Sequence, residues 1–367
     1  MDGQISFRYT HDALDRLIDH SAATLKARQR DDGHWLFELE ADTTIPAEYI
    51  LMRHFLGDPA DAGLEARLGT YIRGAQGRDG AWPLFHDGDA NISASVKAYF
   101  ALKMIGDDPQ EPHMRRARAA ILAAGGAARA NVFTRILLAL YGEVPWRAVP
   151  VMPVELMLAP RWFPVHLSKM AYWSRVVIAP LLILMALKPR ARNPRGVHIG
   201  ELFTTSPEKE RRYNANPTGA PLGTAFLAFD RALRAVEPWI PQRLRQRAIR
   251  RAEAFMLARL NGEDGLGAIF PAMVNAVLAM GALGYPPDHP RFLAARRALD
   301  RLLVGRGKGE YCHPQRLSRE RSAMGANVQF TPTWAASYAA HSDARSEMRG
   351  LKAAASPKGR GNWVRKP

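Results

Sequence analysis

The stretch QGRDGAW, Gln76–Trp82, decides the fold because the chain has already spelled it once, as QRDDGHW at Gln29–Trp35. Both read Gln, three residues, Gly, one residue, Trp, and the two glutamines stand 47 positions apart. That interval is long enough for a helical hairpin and its loop. Each glutamine falls at or just past the end of a helical pattern. Gly33 and Gly80 allow the turn a positive φ. The spacing predicts a joint: the amides of Gln29 and Gln76 reach the unpaired backbone N–H groups of a neighbouring helix. Trp35 and Trp82 then fold back over the amide and seal it. The element is read as a structural clamp between outer helices, without chemistry of its own.

Outward from the clamp the period is helical nearly throughout. HDALDRLIDHSAATLKARQ sets Leu14, Leu17, Ile18, Ala22 and Leu25 at three- and four-residue steps. AEYILMRHFLG, ADAGLEARLGTYIRGAQ, SASVKAYFALKMIG, HMRRARAAILAAGG and VFTRILLALYG follow, most of them stopped by glycine or proline. From Pro145 five prolines in twenty residues break the pattern. An apolar helix then runs through VVIAPLLILMAL, and Lys188 to Pro221 reads as a long surface loop. Four more helices follow. Roughly ten helices and scarce strand alternation give an all-α fold, with stacked hairpins closed into an α/α barrel, or toroid. Two copies of the repeat are too few to exclude an open solenoid.

The 367 residues, 47% hydrophobic, suffice for two modest domains or one large one. Cys312 is the single cysteine, so no internal disulfide forms and a reducing compartment fits. The polar start MDGQISFRYTHDALDR reads as neither a secretory signal nor a transit peptide. Val176–Leu187 is the nearest approach to a membrane span, but it has 12 residues and contains Pro180. It is read as a buried core helix, with a segment resting in one leaflet as the alternative. On that alternative, Trp146, Trp162 and Phe163 lie at the lipid interface, with Lys169, Arg175, Lys188, Arg190 and Arg192 among headgroups. The net charge of +16 suits an anionic partner. Zinc-finger spacing and RNP-like aromatic motifs are both missing, so nucleic acid is not expected.

With the repeat and its neighbours read, the chain resembles the squalene–hopene cyclases of the class II triterpene cyclase family, whose repeat signature is Q-x3-G-x-W. FELEADTTIPAEYILMRHFLGDP, NISASVKAYFALKMIGDDP, VFTRILLALYGEVPW, SKMAYWSRVVIAPLLILMALKP and DGLGAIFPAMVNAVLAMGALGYP carry the resemblance in order, from about residue 10 to Cys312. It implies an amino-terminal α/α barrel at 11–285, the start of a truncated second, catalytic barrel at 286–312, and a short segment 1–10 ahead of both. Residues 313–367 bear ten Lys/Arg against three Asp/Glu and no packing period, and read as a disordered, basic tail foreign to the family.

The resemblance also implies chemistry. The family folds a linear polyene in an apolar cavity, protonates its terminal alkene from an Asp-x-Asp-Asp motif, and closes rings through carbocations. An alkene is a very weak base, so the donor must be a neutral carboxylic acid in a dry site. Asp-x-Asp-Asp is absent from this sequence. Asp107-Asp108 with Glu111 mimics a diphosphate motif, yet sits at a Gly-Asp-Asp-Pro helix stop and is read as a solvated turn. By resemblance, Glu48 belongs to a water network near the termination end of the cavity. Trp173 lines that cavity, and Ile269, Phe270 and Pro271 form a wall loop. Lys97 stands where some relatives carry an acid, Asn131 where some carry arginine, and Phe270 where some carry glutamine.

The expectation is therefore a cyclase-family protein of hopanoid biosynthesis, acting on squalene or a similar polyene. It is held monotopically on the cytoplasmic side of the cell membrane, without cofactor or metal, and inactive without the acid. A homodimer is left open. The rivals are a non-catalytic lipid-binding helical protein and a related class II terpene cyclase.

Overall fold

In the computed structural model, residues 11–29, 31, 33, 35, 42–214, 220–306 and 309–312 are described. The segment 1–10 and the tail 313–367 lie outside them. Among the described residues eleven α-helices follow one another: α1 His11–Ala27, α2 Thr44–Leu56, α3 Ala62–Gly74, α4 Ile92–Ile105, α5 Pro112–Ala123, α6 Val132–Tyr141, α7 Tyr172–Leu187, α8 Pro221–Val236, α9 Gln242–Leu257, α10 Phe270–Ala282 and α11 Pro290–Asp300. Two small antiparallel hairpins pair β1 Leu260–Asn261 with β2 Gly265–Leu266, and β3 Leu303–Arg306 with β4 Gly309–Cys312. The fold is all-α.

Burial sorts the helices into two layers. Ten of the 13 residues of α2, eleven of the 14 of α4 and nine of the 13 of α10 are buried. Of α3, α5 and α9, only five of 13, three of 12 and three of 16 are. A helix apolar on every side must be surrounded, whereas a striped one covers it. The inner row runs from α6 through α4, α2 and α10 to α7, with α3, α5, α9 and α11 packed outside, and β4 lies against α3 and α2.

Val176 and Ala179–Met185 are buried in α7, so the apolar run is core and not a leaflet anchor. No helix among the described residues is long and apolar enough to cross a membrane. The Pro-rich stretch forms 3₁₀ turns at Trp146–Ala148, Val154–Leu158 and Leu167–Lys169. Trp146 packs on the core, while Trp162 is exposed.

The two clamps share one geometry, and it differs in polarity from the expected one. Gln76 Nε2 donates to the Gly80 carbonyl at 2.8 Å and Gln29 Nε2 to that of Gly33 at 2.6 Å. The Trp82 indole N–H donates to Ile72 O and that of Trp35 to Leu25 O, both at 2.7 Å. Each tryptophan thus satisfies a carbonyl in the last turn of the helix before it, where intrahelical donors run out. Gln76 Nε2 also donates to His113 O at 2.9 Å, and its Oε1 accepts from Arg116 Nη2 at 3.2 Å. The glutamine therefore grips α5 chiefly through a carbonyl, not through the helix's free N–H groups. The glycines do take positive φ, +87° at Gly33 and +86° at Gly80.

Among the described residues, only the second copy closes on a neighbour. A Cβ placed on Gly80 would lie 2.8 Å from the backbone of Arg116, so α5 comes in against the bare glycine. On Gly33 it would meet nothing nearer than Gln29 itself. Trp82 is fully buried, whereas Trp35 is 46% exposed, alongside Leu14, Leu17, Ile18 and Leu25 of α1.

The two copies should respond differently to truncation. Trp82→Ala is expected to cost about 3–5 kcal/mol, and Trp35→Ala within about 1 kcal/mol, in urea unfolding followed by circular dichroism. Equal losses would mean that burial does not set the strength of the clamp.

Candidate functional site

Four inner helices bring their first two turns to one end of the molecule. A Cβ placed on Gly267, in the turn entering α10, would lie 2.9 Å from Val176 in the second turn of α7. The starts of those two helices therefore adjoin. On Gly281, in the last turn of α10, it would lie 2.8 Å from Leu56, the last residue of α2, so α2 and α10 end together. Lys97, sixth in α4, bonds Glu48, fifth in α2. Helices α2, α4, α7 and α10 therefore share one direction. Glu48, Lys97, Trp173 and Phe270 all sit near their starting ends.

The centre of this end is an ion pair. Lys97 Nζ lies 2.5 Å from Glu48 Oε1, with the lysine side chain 1% and the glutamate side chain 20% exposed. A lysine on a helix buried on all sides cannot remain charged without a partner. Glu48 supplies the charge and keeps part of its side chain exposed. Asp42 stands beside them, its Oδ1 accepting from Thr44 N–H at 2.7 Å. Burial pushes its carboxyl above the usual range, against the Thr44 hydrogen bonds and the Lys97 charge that pull it down. Sequence reasoning passed over Asp42. Its signal was the Asp-Thr-Thr before α2, where a carboxylate accepts from the free N–H groups of a helix start.

The remaining residues lie at the starts of their own helices. Trp173 is half-buried in the first turn of α7, its ring edge-on to Tyr172 at 5.5 Å. Phe270 is fully buried. The stretch Ile269-Phe270-Pro271 is a helix start and not a loop: Ile269 is the N-cap, Phe270 the first residue, and Pro271 fits the first turn. Asn131 caps α6 by accepting from Thr134 N–H at 2.9 Å. A groove on the outer helix α5, lined by Gln110, Arg115, Arg116 and Arg118, touches none of these residues.

Asp107 is not part of a solvated turn. It is buried and holds Arg73 at 2.8 and 2.5 Å and His113 at 2.7 Å, tying α3 to α5 beside the clamp. Burial alone would raise its pKa, but these hydrogen bonds and charges outweigh it and hold the carboxyl low. Asp107, Glu111 and His113 have metal-ligand spacing. The bidentate Arg73 already neutralises Asp107 and occupies the oxygens that a cation would need.

The sequence pattern of the squalene–hopene cyclase N-terminal domain matches residues 18–308. The chain is 53% identical over 309 residues to the squalene–hopene cyclase of Zymomonas mobilis, covering 83% of this chain and 46% of that protein. It is 48% identical over 357 residues to a Sinorhizobium fredii protein named "Probable squalene--hopene cyclase", covering 96% and 52%. It is 49% identical over 300 residues to the squalene–hopene cyclase of the fission yeast Schizosaccharomyces japonicus, covering 82% and 46%. The chain spans about half the length of these relatives.

Removing one member of the pair should leave an unmatched buried charge. Glu48→Gln is expected to cost about 3 kcal/mol, and adding Lys97→Met should recover much of that loss. Urea midpoints of the two single variants and the double variant give the coupling. Simple additivity of the single losses would show that the two charges do not depend on each other.

Proposed function

The chain belongs to the squalene–hopene cyclase family, and from that premise we propose that it is the cavity-wall barrel of a polyene cyclase and does not by itself cyclise squalene. The observation that carries this reading is the gathering of Glu48, Lys97, Trp173 and Phe270 at one end of four helices that share a direction. An aromatic and apolar rim accepts a hydrocarbon. The Glu48–Lys97 pair offers fixed hydrogen-bonding groups that order water where a terminal cation is quenched. The reaction starts elsewhere: protonating an alkene takes a neutral, poised carboxylic acid, and this sequence holds no Asp-x-Asp-Asp.

We further propose that the protein rests monotopically on a membrane, because a polyene dissolves in bilayers and not in water. The support comes from α8 and not from α7. Asp230 accepts from Val151 N–H at 2.6 Å and Arg234 Nη2 donates to Val149 O at 2.9 Å, so α8 is tied down by its polar side. Its apolar side chains face out: Phe226 is 64% exposed and Phe229 56%. In the turn that follows, Trp239 is 84% exposed. An amphipathic helix turned this way has its apolar face available to acyl chains. The same observation favours the second reading, a non-catalytic lipid-binding protein, and product formation distinguishes the two.

Incubated with squalene in detergent, the purified chain should form no hopene or diplopterol above a heat-killed control by gas chromatography. Product would overturn the reading and turn attention to Asp42 as the buried acid. Attachment to liposomes should survive ~1 M salt, where the Debye length is about 3 Å. It should be lost in Phe226→Ser/Phe229→Ser/Trp239→Ser, and full binding by this variant would remove α8 from the contact.

A further inference from the structure

We propose that α1 pairs antiparallel with the α1 of a second copy, in a two-fold dimer independent of the α8 face. From Asp12 to Ala27 every residue of α1 is exposed except Ala13, which is half-buried. Yet its stripe is that of a covered helix. Leu14, Leu17, Ile18 and Leu25, each about half exposed, lie along one side with Ser21 and Ala22 among them.

The second clamp shows what the first one lacks. There the bare Gly80 and the Gln76 amide receive α5, and Trp82 is fully buried. In the first clamp Trp35 donates to Leu25 O, which holds its ring at the last turn of α1 and extends the apolar stripe. Among the described residues no neighbour comes in against Gly33.

The charges identify the occupant. The first half of α1 carries Asp12, Asp15 and Asp19 against Arg16, whereas residues 20–28 carry Lys26 and Arg28 and no acid. Among the described residues neither Asp15 nor Lys26 has an ion-pair partner within the chain. A helix acidic at one end and basic at the other complements itself when reversed, as a two-fold contact requires. Asp15 and Lys26 are about three turns apart and therefore share one flank, and the same interval separates Leu14 from Leu25. With the axis beside His20, Asp15 faces the partner's Lys26, Leu14 the partner's Leu25, and Ile18 the partner's Ala22. The small Ser21 and Ala22 at the middle let the two helices approach closely. A bilayer would accept the apolar stripe, but the three aspartates would meet anionic headgroups as like charges. Two helices about 25 Å long bury an area at the low end of specific interfaces, so the dimer dissociates in the micromolar range.

The test is sedimentation velocity of the full chain from about 1 to 100 µM at ~0.15 M salt, where the dimer should grow with concentration. Leu14→Ser/Ile18→Ser/Leu25→Ser should stay monomeric with an unchanged thermal melt, because these side chains are already exposed. Asp15→Lys or Lys26→Asp alone acts at both symmetric contacts and should weaken dimerisation about tenfold. Asp15→Lys/Lys26→Asp in one chain should restore it, and so should an equimolar mixture of the two single variants. A monomer at every concentration, single charge reversals without effect, or absence of rescue overturns the proposal. So does a dimer that is lost in Phe226→Ser/Phe229→Ser/Trp239→Ser and kept in the α1 variant, which would assign the contact to α8. Monomers that bind phosphatidylcholine vesicles through Leu14, Ile18 and Leu25 would give the face to lipid and end the proposal.

Discussion

The architecture depends on one requirement: helices apolar on all sides must be enclosed by other helices. Helix α4 is the extreme case, with Tyr99, Phe100 and Leu102 wholly buried on its different faces. Striped helices can cover it only if their ends are held in place, and helix ends are where backbone groups lack partners. The Trp82 indole and the Gln76 amide meet both needs together. They satisfy carbonyls of α3 and α5 while filling the gap between them with a buried ring. The Arg73–Asp107–His113 network fastens the same two helices a few residues away. The repeat that opens the reading of the sequence is therefore a device for assembling outer helices, and the inner row inherits its order from it.

That order positions the candidate site. Because the inner helices share a direction, residues from α2, α4, α7 and α10 arrive at one end without any long loop to carry them. Their free N–H groups point the same way, which favours negative charge there. Glu48 and Asp42 sit in that field, and Lys97 stabilises the ionised glutamate from within. The arrangement keeps charged groups in an otherwise apolar neighbourhood at a cost, and the pairing offsets it.

Much of this was legible in the sequence, and the limits have physical causes. Helix identity and the clamp came from spacing, because a 3.6-residue period and a glycine stop are local properties. The role expected of Glu48 rests on resemblance alone, and its partner was invisible: Lys97 lies 49 residues away, and only packing of α2 on α4 makes them neighbours. The polarity of the clamp was misread because an amide both donates and accepts, and spacing does not tell which end is used. Asp107 was taken for a solvated turn because Arg73 and His113, which bury it, are contributed by other elements. The most hydrophobic run, Val176–Leu187, is core, as its leading reading had it, because hydrophobicity of that degree marks a helix surrounded on all sides. Helix α8 is amphipathic by any count, but periodicity reports that two faces differ and not which one faces out.

The outward apolar face of α8 has a colloidal consequence. Two copies in water would gain by laying Phe226, Phe229 and Trp239 against each other, and the +16 charge of the chain opposes their approach. At low ionic strength that repulsion reaches over tens of ångströms, whereas near molar salt it fades within a few. The chain's dispersion in water is thus a balance between stickiness and charge, one that added electrolyte tips toward self-association.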